Sequence, residues 1–145
     1  MAVNVPETQI LADSDTTVIV KVTGYHNGAT TSNTKILQSN TVNYANTSRD
    51  CILEIEKIQY SVQFATGSLA LEYISKVNTN NRIVNFSGRA DGVVNVYIPN
   101  AANTPSGDLN LAVVGAANND TYNFIITLRK TTKNSAFINV YVPYE

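Results

Sequence analysis

From residue 16 to residue 23 the run TTVIVKVT alternates strictly, with Val18, Val20 and Val22 on one side and Thr17, Ile19, Lys21 and Thr23 on the other. Apolar residues at a period of two predict a half-buried β-strand. The same grammar returns in residues 107–130, where GDLNLAVV and DTYNFIITLRK flank a short loop rich in Gly, Ala and Asn. That arrangement predicts an antiparallel β-hairpin. Residues 68–75 alternate again, with Leu69, Leu71 and Tyr73 on one face. Shorter strand candidates are residues 34–37, 41–44, 82–86 and 93–98, and a last one, 136–142, follows the polar TTKNS. No segment has the 3.6-residue apolar period of an amphipathic helix, so helical content is expected to be very small.

The long run CILEIEKIQYSVQF, residues 51–64, breaks its own pattern. Its apolar set is Cys51, Leu53 and Ile55, then Ile58, Tyr60, Val62 and Phe64, which is the opposite parity. A slip of one residue turns every side chain to the other face of a sheet. A bulge or sharp bend near Glu56 and Lys57 is therefore predicted, letting the strand leave one sheet and join the facing one.

Eight or nine short strands with turn signals between them predict an all-β, single-domain antiparallel β-sandwich, jelly-roll-like, with a closed barrel as the alternative. The domain is expected to span residues 16–145. Residues 1–15, in which Pro6 interrupts a short apolar stretch before the DSD turn, read as an extended N-terminal arm. Such an arm either adds to the edge of the chain's own sheet or lies on a neighbour.

Composition supports one globular unit: 145 residues with 43% hydrophobic and 14% charged residues are enough for a core and too weakly charged for a disordered chain. Asn and Thr make up about a quarter of the chain, which suits strands joined by many turns. A net charge of −1 supplies no counterion-release drive, so no nucleic-acid partner is expected. No run approaches the ~20 apolar residues of a membrane span, and the first residues lack the pattern of a signal peptide. Neither a membrane partner nor export is expected, and the N-x-S/T triplets at Asn46, Asn85 and Asn119 read as accidents of composition.

Candidate chemistry is sparse. His26 is the single histidine and sits in a turn, so no His-based triad or metal cluster can be assembled. Cys51 has no partner for a disulfide and starts a strand on its apolar parity, as a small core residue would. Glu54 and Glu56 share one strand face; they cannot flank a glycosidic bond from opposite sides and read as an exposed polar face paired with Lys or Arg on the next strand. Asp13 and Asp15 form a D-x-D spacing that can serve a calcium loop, but no third and fourth oxygen ligand follows at the spacing such loops use, so they read as a turn before the strand at Thr16. Tyr60, Tyr73 and Tyr122 fall on the apolar parity of their strands and are expected in the core. Tyr97, Tyr141 and Tyr144 are less constrained. There is no Gly-rich phosphate loop and no G-x-S-x-G elbow. No enzyme activity, cofactor or metal is expected.

Three blocks, ILADSDTTVIVKVTGYHNG, IEKIQYSVQFATGSLALEY and SGDLNLAVVGAANNDTYNFIITLRK, resemble a family of small virion structural proteins of tailed bacteriophages. The resemblance is carried by Ile10, Leu11 and Asp13, by Tyr60, Ser61 and Gly67, and by Gly107, Asp108, Tyr122, Arg129 and Lys130. An aromatic position often filled by Trp is Tyr73 here, and the chain continues for fifteen residues past Lys130, where similar proteins tend to stop. The resemblance implies a non-enzymatic capsid decoration or cement protein on the outer head surface. It implies contact with the major capsid protein and a homotrimer at the local threefold positions. The contacts are expected from Val3, Val5, Ile10 and Leu11 of the arm and from Phe137, Tyr141 and Tyr144 of the last strand. A neck, tail or fibre component would use the same fold, and a carbohydrate-binding module is the alternative from another class.

Overall fold

In a computed structural model of the chain, residues 6–25, 30–38, 42, 51–75, 81–100, 105–116 and 120–132 are described. Among them the fold is one antiparallel sheet of seven strands and no helix. The strands are β1 (Glu7–Asp13), β2 (Thr17–Tyr25), β3 (Thr30–Leu37), β4 (Cys51–Ser75), β5 (Asn81–Val94), β6 (Pro105–Ala116) and β7 (Thr121–Thr132). Their order is β1-β2-β7-β4-β6-β3, with β5 on the remaining edge of β4.

The register shows how seven strands make one folded sheet. β4 is 25 residues long. Its first part, Cys51 to Gln63, pairs with β7, and its last part, Ser68 to Ser75, pairs with β6. Both partners run antiparallel to β4, so β6 and β7 are collinear and point the same way. β2 and β3 lie end to end on the outer side of that line, and β5 follows the opposite edge of β4 from Ile58 to Tyr73.

The ladders on both edges of β4 shift at the same place. The pairing of β4 is interrupted over residues 64–67, between its last pair with β7, Gln63 with Thr121, and its first with β6, Ser68 with Val114, while β5 skips only Gly88 there. One residue of β5 and four of β4 are skipped there, as expected where a sheet turns a corner. Gly67, Gly88 and Gly115 have φ of 81°, 68° and 69°, the left-handed region in which a side chain is strained. At the corner the carboxylate of Asp120 accepts the Ala65 N–H at 2.9 Å, which satisfies a backbone donor that left its ladder.

The corner folds the sheet on itself around one core. Val18, Val20 and Val22 of β2 and Phe124, Ile126 and Leu128 of β7 meet Leu69, Leu71 and Tyr73 of β4 and Leu109, Leu111 and Val113 of β6. An aromatic row lines the inside of the bend. Ring centroids are 4.6 Å apart for Tyr60–Phe86, 5.3 Å for Phe86–Phe124, 6.0 Å for Phe124–Tyr122 and 6.5 Å for Tyr122–Phe64. β1 adds to the outer edge of β2 and approaches β3 across a cleft of about 240 Å³ lined by Thr8, Ile10, Lys35, Ile36, Leu37 and Gln38. The sheet is thus nearly closed and barrel-like.

The parity break near Glu56 is a bulge, because Ile55 pairs with Leu128 and Lys57 with Thr127, leaving Glu56 without an opposite residue. The transfer between halves of the sheet lies further on, at residues 64–67. There the buried set flips a second time, from Val62 and Phe64 to Leu69 and Leu71.

Three readings of the sequence are corrected. Residues 107–130 form no hairpin, since the chain does not reverse between β6 and β7 and the two form no ladder with each other among the described residues. Alternating runs around a loop are equally consistent with two collinear strands, and the length of β4 gives both a partner. Residues 68–75 continue β4 rather than forming a strand of their own. Residues 82–86 and 93–98 are likewise joined by the stretch between them, in which only Gly88 departs from regular pairing. The candidates 41–44, apart from Val42, and 136–142 lie outside the described residues.

Candidate functional site

β1 is the first surface of interest because it pairs with β2 along one edge, while among the described residues no strand pairs with its other edge. Residues 7–12 are exposed, with Ile10 at 42% and Leu11 at 47% of full accessibility; Ile10 pairs with Val20 and Ala12 with Ile19, so Leu11 is the extra residue of a bulge. Asp13, at the other end, reaches Lys130, the last inward-facing described residue of β7. The Lys130 side chain is 0% exposed, and its ammonium donates to the Asp13 carboxylate and to the Ser14 carbonyl. The Lys130 N–H also donates to the Thr16 carbonyl at 2.8 Å. Ser14 closes the turn, its N–H donating to Thr17 O at 2.8 Å and its hydroxyl accepting the Thr17 N–H at 3.2 Å. Asp13 ends β1 and Asp15 lies in the turn expected before β2, and Asp13 anchors that turn to the core.

The second surface is a charged cluster on the outer face of β4 and β7. The chain beyond β5 bulges away and returns as a single bridge, Ile98 to Ile55. This loop brings Tyr97 and Asn100 over Glu54. The Tyr97 hydroxyl donates to Glu54 Oε1 at 2.7 Å, and the Asn100 N–H donates to Oε2 at 2.6 Å. Arg129 pairs with Glu56 at 3.0 Å and lies 4.1 Å from the centre of the Tyr97 ring. Burial and the hydrogen bond to the Glu54 carboxylate both push the Tyr97 phenol above its ordinary value. Beneath the loop, the Tyr73 hydroxyl accepts the Ile55 N–H at 2.7 Å and donates to Ile98 O, tying both parts of β4 to the bridge.

Glu56 finds the cationic partner expected on the neighbouring strand. Glu54 is a correction: it is 2% exposed and not part of an open polar face, because the loop at residues 95–100 covers it. Tyr97 and Asn100 were not foreseen as its partners; they are far from it in sequence and no local pattern marks them. With both carboxylates engaged, the cluster's evident work is to hold the loop down.

Cys51 is in the core, where burial pushes its thiol up to about 11 and makes it a poor nucleophile at neutral pH. Tyr73 and Tyr122 are buried and Tyr60 packs against the core, as their parity predicts. Among the described residues no group of three or more His, Cys, Asp or Glu side chains could hold a metal ion. Of the expected contact residues, Ile10 and Leu11 are brought together on β1, while Val3, Val5, Phe137, Tyr141 and Tyr144 lie outside the described residues, as does His26.

Positions that carry the sequence resemblance recur as tie points. Asp13 pairs with Lys130, Asp108 with Lys35 at 3.1 Å, and Arg129 with Glu56. Gly67 lies so close to the Val114 and Gly115 backbone that an added Cβ would sit 2.4 Å from Val114 O. Tyr122 lies against its cross-strand partner Gly24, where a Cβ would meet the phenol at 2.2 Å. No protein-family model matches the chain, and no curated protein matches it.

Proposed function

We propose that this chain is a virion structural protein of a tailed bacteriophage, a decoration or cement protein that binds the outer head surface and links neighbouring capsomers. In this reading it is not an enzyme and needs no cofactor. The observation that carries it is that positions of the phage-protein resemblance pair with one another or with the strands beside them at the corner, the β1 latch and the outer-face cluster. The resemblance thus follows the ties of one fold rather than a scatter of loop residues. The folded sheet then plays the part of the jelly-roll-like sandwich of such proteins, and residues 1–15 are its arm.

Binding works through exposed apolar side chains on an open strand. Ile10 and Leu11 at the bulge of β1, with Val3 and Val5 before them and Phe137, Tyr141 and Tyr144 in the tail, meet the major capsid protein and the other copies of a homotrimer at the local threefold positions. Each contact is small, and repetition over a lattice makes the sum large.

Localising the protein in an electron-microscopy reconstruction of the particle tests the assignment: density on the head surface supports it, and density at the neck, tail or fibre replaces it by the corresponding component. Deleting residues 1–9 should lower occupancy on heads while circular dichroism stays that of a folded β protein. Unchanged occupancy would remove the arm from the mechanism. A carbohydrate-binding role is less well supported, because the guanidinium of Arg129 already lies against the exposed Tyr97 ring; binding on a glycan array would revive it.

A further inference from the structure

We propose that the free edge of β5 is a self-association site, at which two copies of the chain pair antiparallel about a two-fold axis through Ala90. This rests on the edge alone and is independent of the virion reading. β5 pairs with β4 on one side, and among the described residues no strand covers the other. Residues 87–93 are exposed on both faces, and a Cβ placed on Gly88 would meet nothing within 4 Å. Such an edge presents backbone N–H and C=O groups ready to template a second strand.

Charges on an edge strand ordinarily prevent pairing. Here they are self-complementary. Around Ala90 the sequence NFSGRADGVVN is close to a palindrome in residue type. A two-fold axis at Ala90 sets Arg89 of each copy opposite Asp91 of the other and Gly88 opposite Gly92, with Ser87 opposite Val93 at the flanks. Directly opposed residues of an antiparallel pair share a face, so both ion pairs form on the side where Ser61 and Gln63 of β4 are exposed. Among the described residues the ion pairs join Lys35 to Asp108, Arg129 to Glu56 and Lys130 to Asp13, and neither Arg89 nor Asp91 takes part in them.

Neighbouring registers are worse. An axis through Arg89 opposes two arginines and an axis through Asp91 opposes two aspartates, and like charges directly opposite one another destabilise a pair. The glycines at 88 and 92 bring no side chain to the seam. The bend at Gly88 keeps the ladder short, so the contact is weak between free molecules and strong only where copies are held close together.

Ala90→Cys tests the register directly. Opposed Cα atoms are about 4.5–5.5 Å apart in either kind of antiparallel pair, inside the range of about 4.4–6.8 Å that a disulfide spans. Under mild oxidation A90C should yield a covalent dimer, whereas Ser87→Cys, which faces Val93, should yield little; the buried Cys51 leaves the unsubstituted chain as a silent control. Adding Arg89→Glu or Asp91→Lys to A90C should lower the dimer yield roughly fivefold or more, and adding both should restore it, because the two charges exchange places. Both positions are exposed, and circular dichroism verifies that each variant is folded. Equal yields from A90C and S87C, or yields that ignore the charge swaps, would mean random collision and overturn the proposal.

Discussion

Replacing Gly67 by Ala is the sharpest test of the corner, because Gly88→Ala provides an internal standard. Both glycines have positive φ, at 81° and 68°, and an L-residue held there costs roughly 1–2 kcal/mol. Alanine also restricts the unfolded chain, which offsets about 0.4–1 kcal/mol at either position. The two sites differ in what a methyl group meets. At Gly88 nothing lies within 4 Å, whereas at Gly67 the new carbon would sit 2.4 Å from Val114 O and 2.5 Å from the Gly115 carbonyl carbon. Both are backbone atoms, so relief requires the corner to open, and overpacking of this kind costs roughly 1–3 kcal/mol more. We expect G88A to lose about 1 kcal/mol and G67A about 3 kcal/mol. For a chain of this size that is a melting temperature lower by roughly 2–4 °C and 6–12 °C, respectively. Urea and thermal unfolding followed by circular dichroism measure both. If G67A costs no more than G88A, the β4 and β6–β7 lines do not cross at close range and the folded-sheet account is wrong.

The latch between Asp13 and Lys130 should respond asymmetrically. Asp13→Ala strands a fully buried ammonium and should cost about 3 kcal/mol in urea unfolding at pH 7, whereas Lys130→Met leaves a partly exposed carboxylate that water can solvate and should cost less; equal losses would contradict the burial of Lys130. Alkaline stability follows from the tyrosines: burial raises the Tyr122 phenol to about 12 and also raises Tyr73. The unfolded chain therefore releases these protons first, near the usual 10, and binds fewer protons than the folded chain, so stability is intact below pH 10 and falls as pH rises toward 12. Cys51, raised to about 11, adds the same sign from near pH 9. Tyr122→Phe should flatten this decline in urea midpoint between pH 10 and 12, and an unchanged slope would refute the assignment.

Legibility in the sequence tracked burial. β2 was readable because Val18, Val20 and Val22 face one core. The Glu56 bulge was readable because two buried sets of opposite parity meet there. The corner leaves the same signal, since Phe64 and Leu69 also differ in parity, yet ATGS between them reads equally well as a reversal and as a bend. Only the distant pairing of Ser68 with Val114 and of Gln63 with Thr121 decides between the two. β1 and the middle of β5 show no alternation because both faces are exposed there, and a strand with no buried face has no hydrophobic period. In the outer-face cluster the arginine across from Glu56 could be anticipated from strand chemistry. Tyr97 and Asn100 could not, because what brings them to Glu54 is a bulge in a different strand.

The same physics separates what holds the molecule from what it can offer to others. Folding one sheet around a corner completes a core from β2, β4, β6 and β7, together with Ile36 and Leu37 of β3 and Phe86 of β5, and leaves β1 and the middle of β5 contributing backbone pairing but little buried apolar area. Such strands are weakly held by packing and would fray unless fixed in some other way. β1 is fixed by an ion pair at one end, and β5 by continuity with the Ile98 bridge and the Tyr97–Glu54 hydrogen bond. Both fastenings lie at strand ends, leaving the edges between them open along Glu7 to Ala12 and along Ser87 to Val93. An edge that is secured at its end yet uncovered along its length is able to accept a strand without unfolding its own domain. In the reading advanced above the two edges divide the work, β1 with its apolar Ile10 and Leu11 toward the capsid surface and β5 with its paired charges toward a second copy.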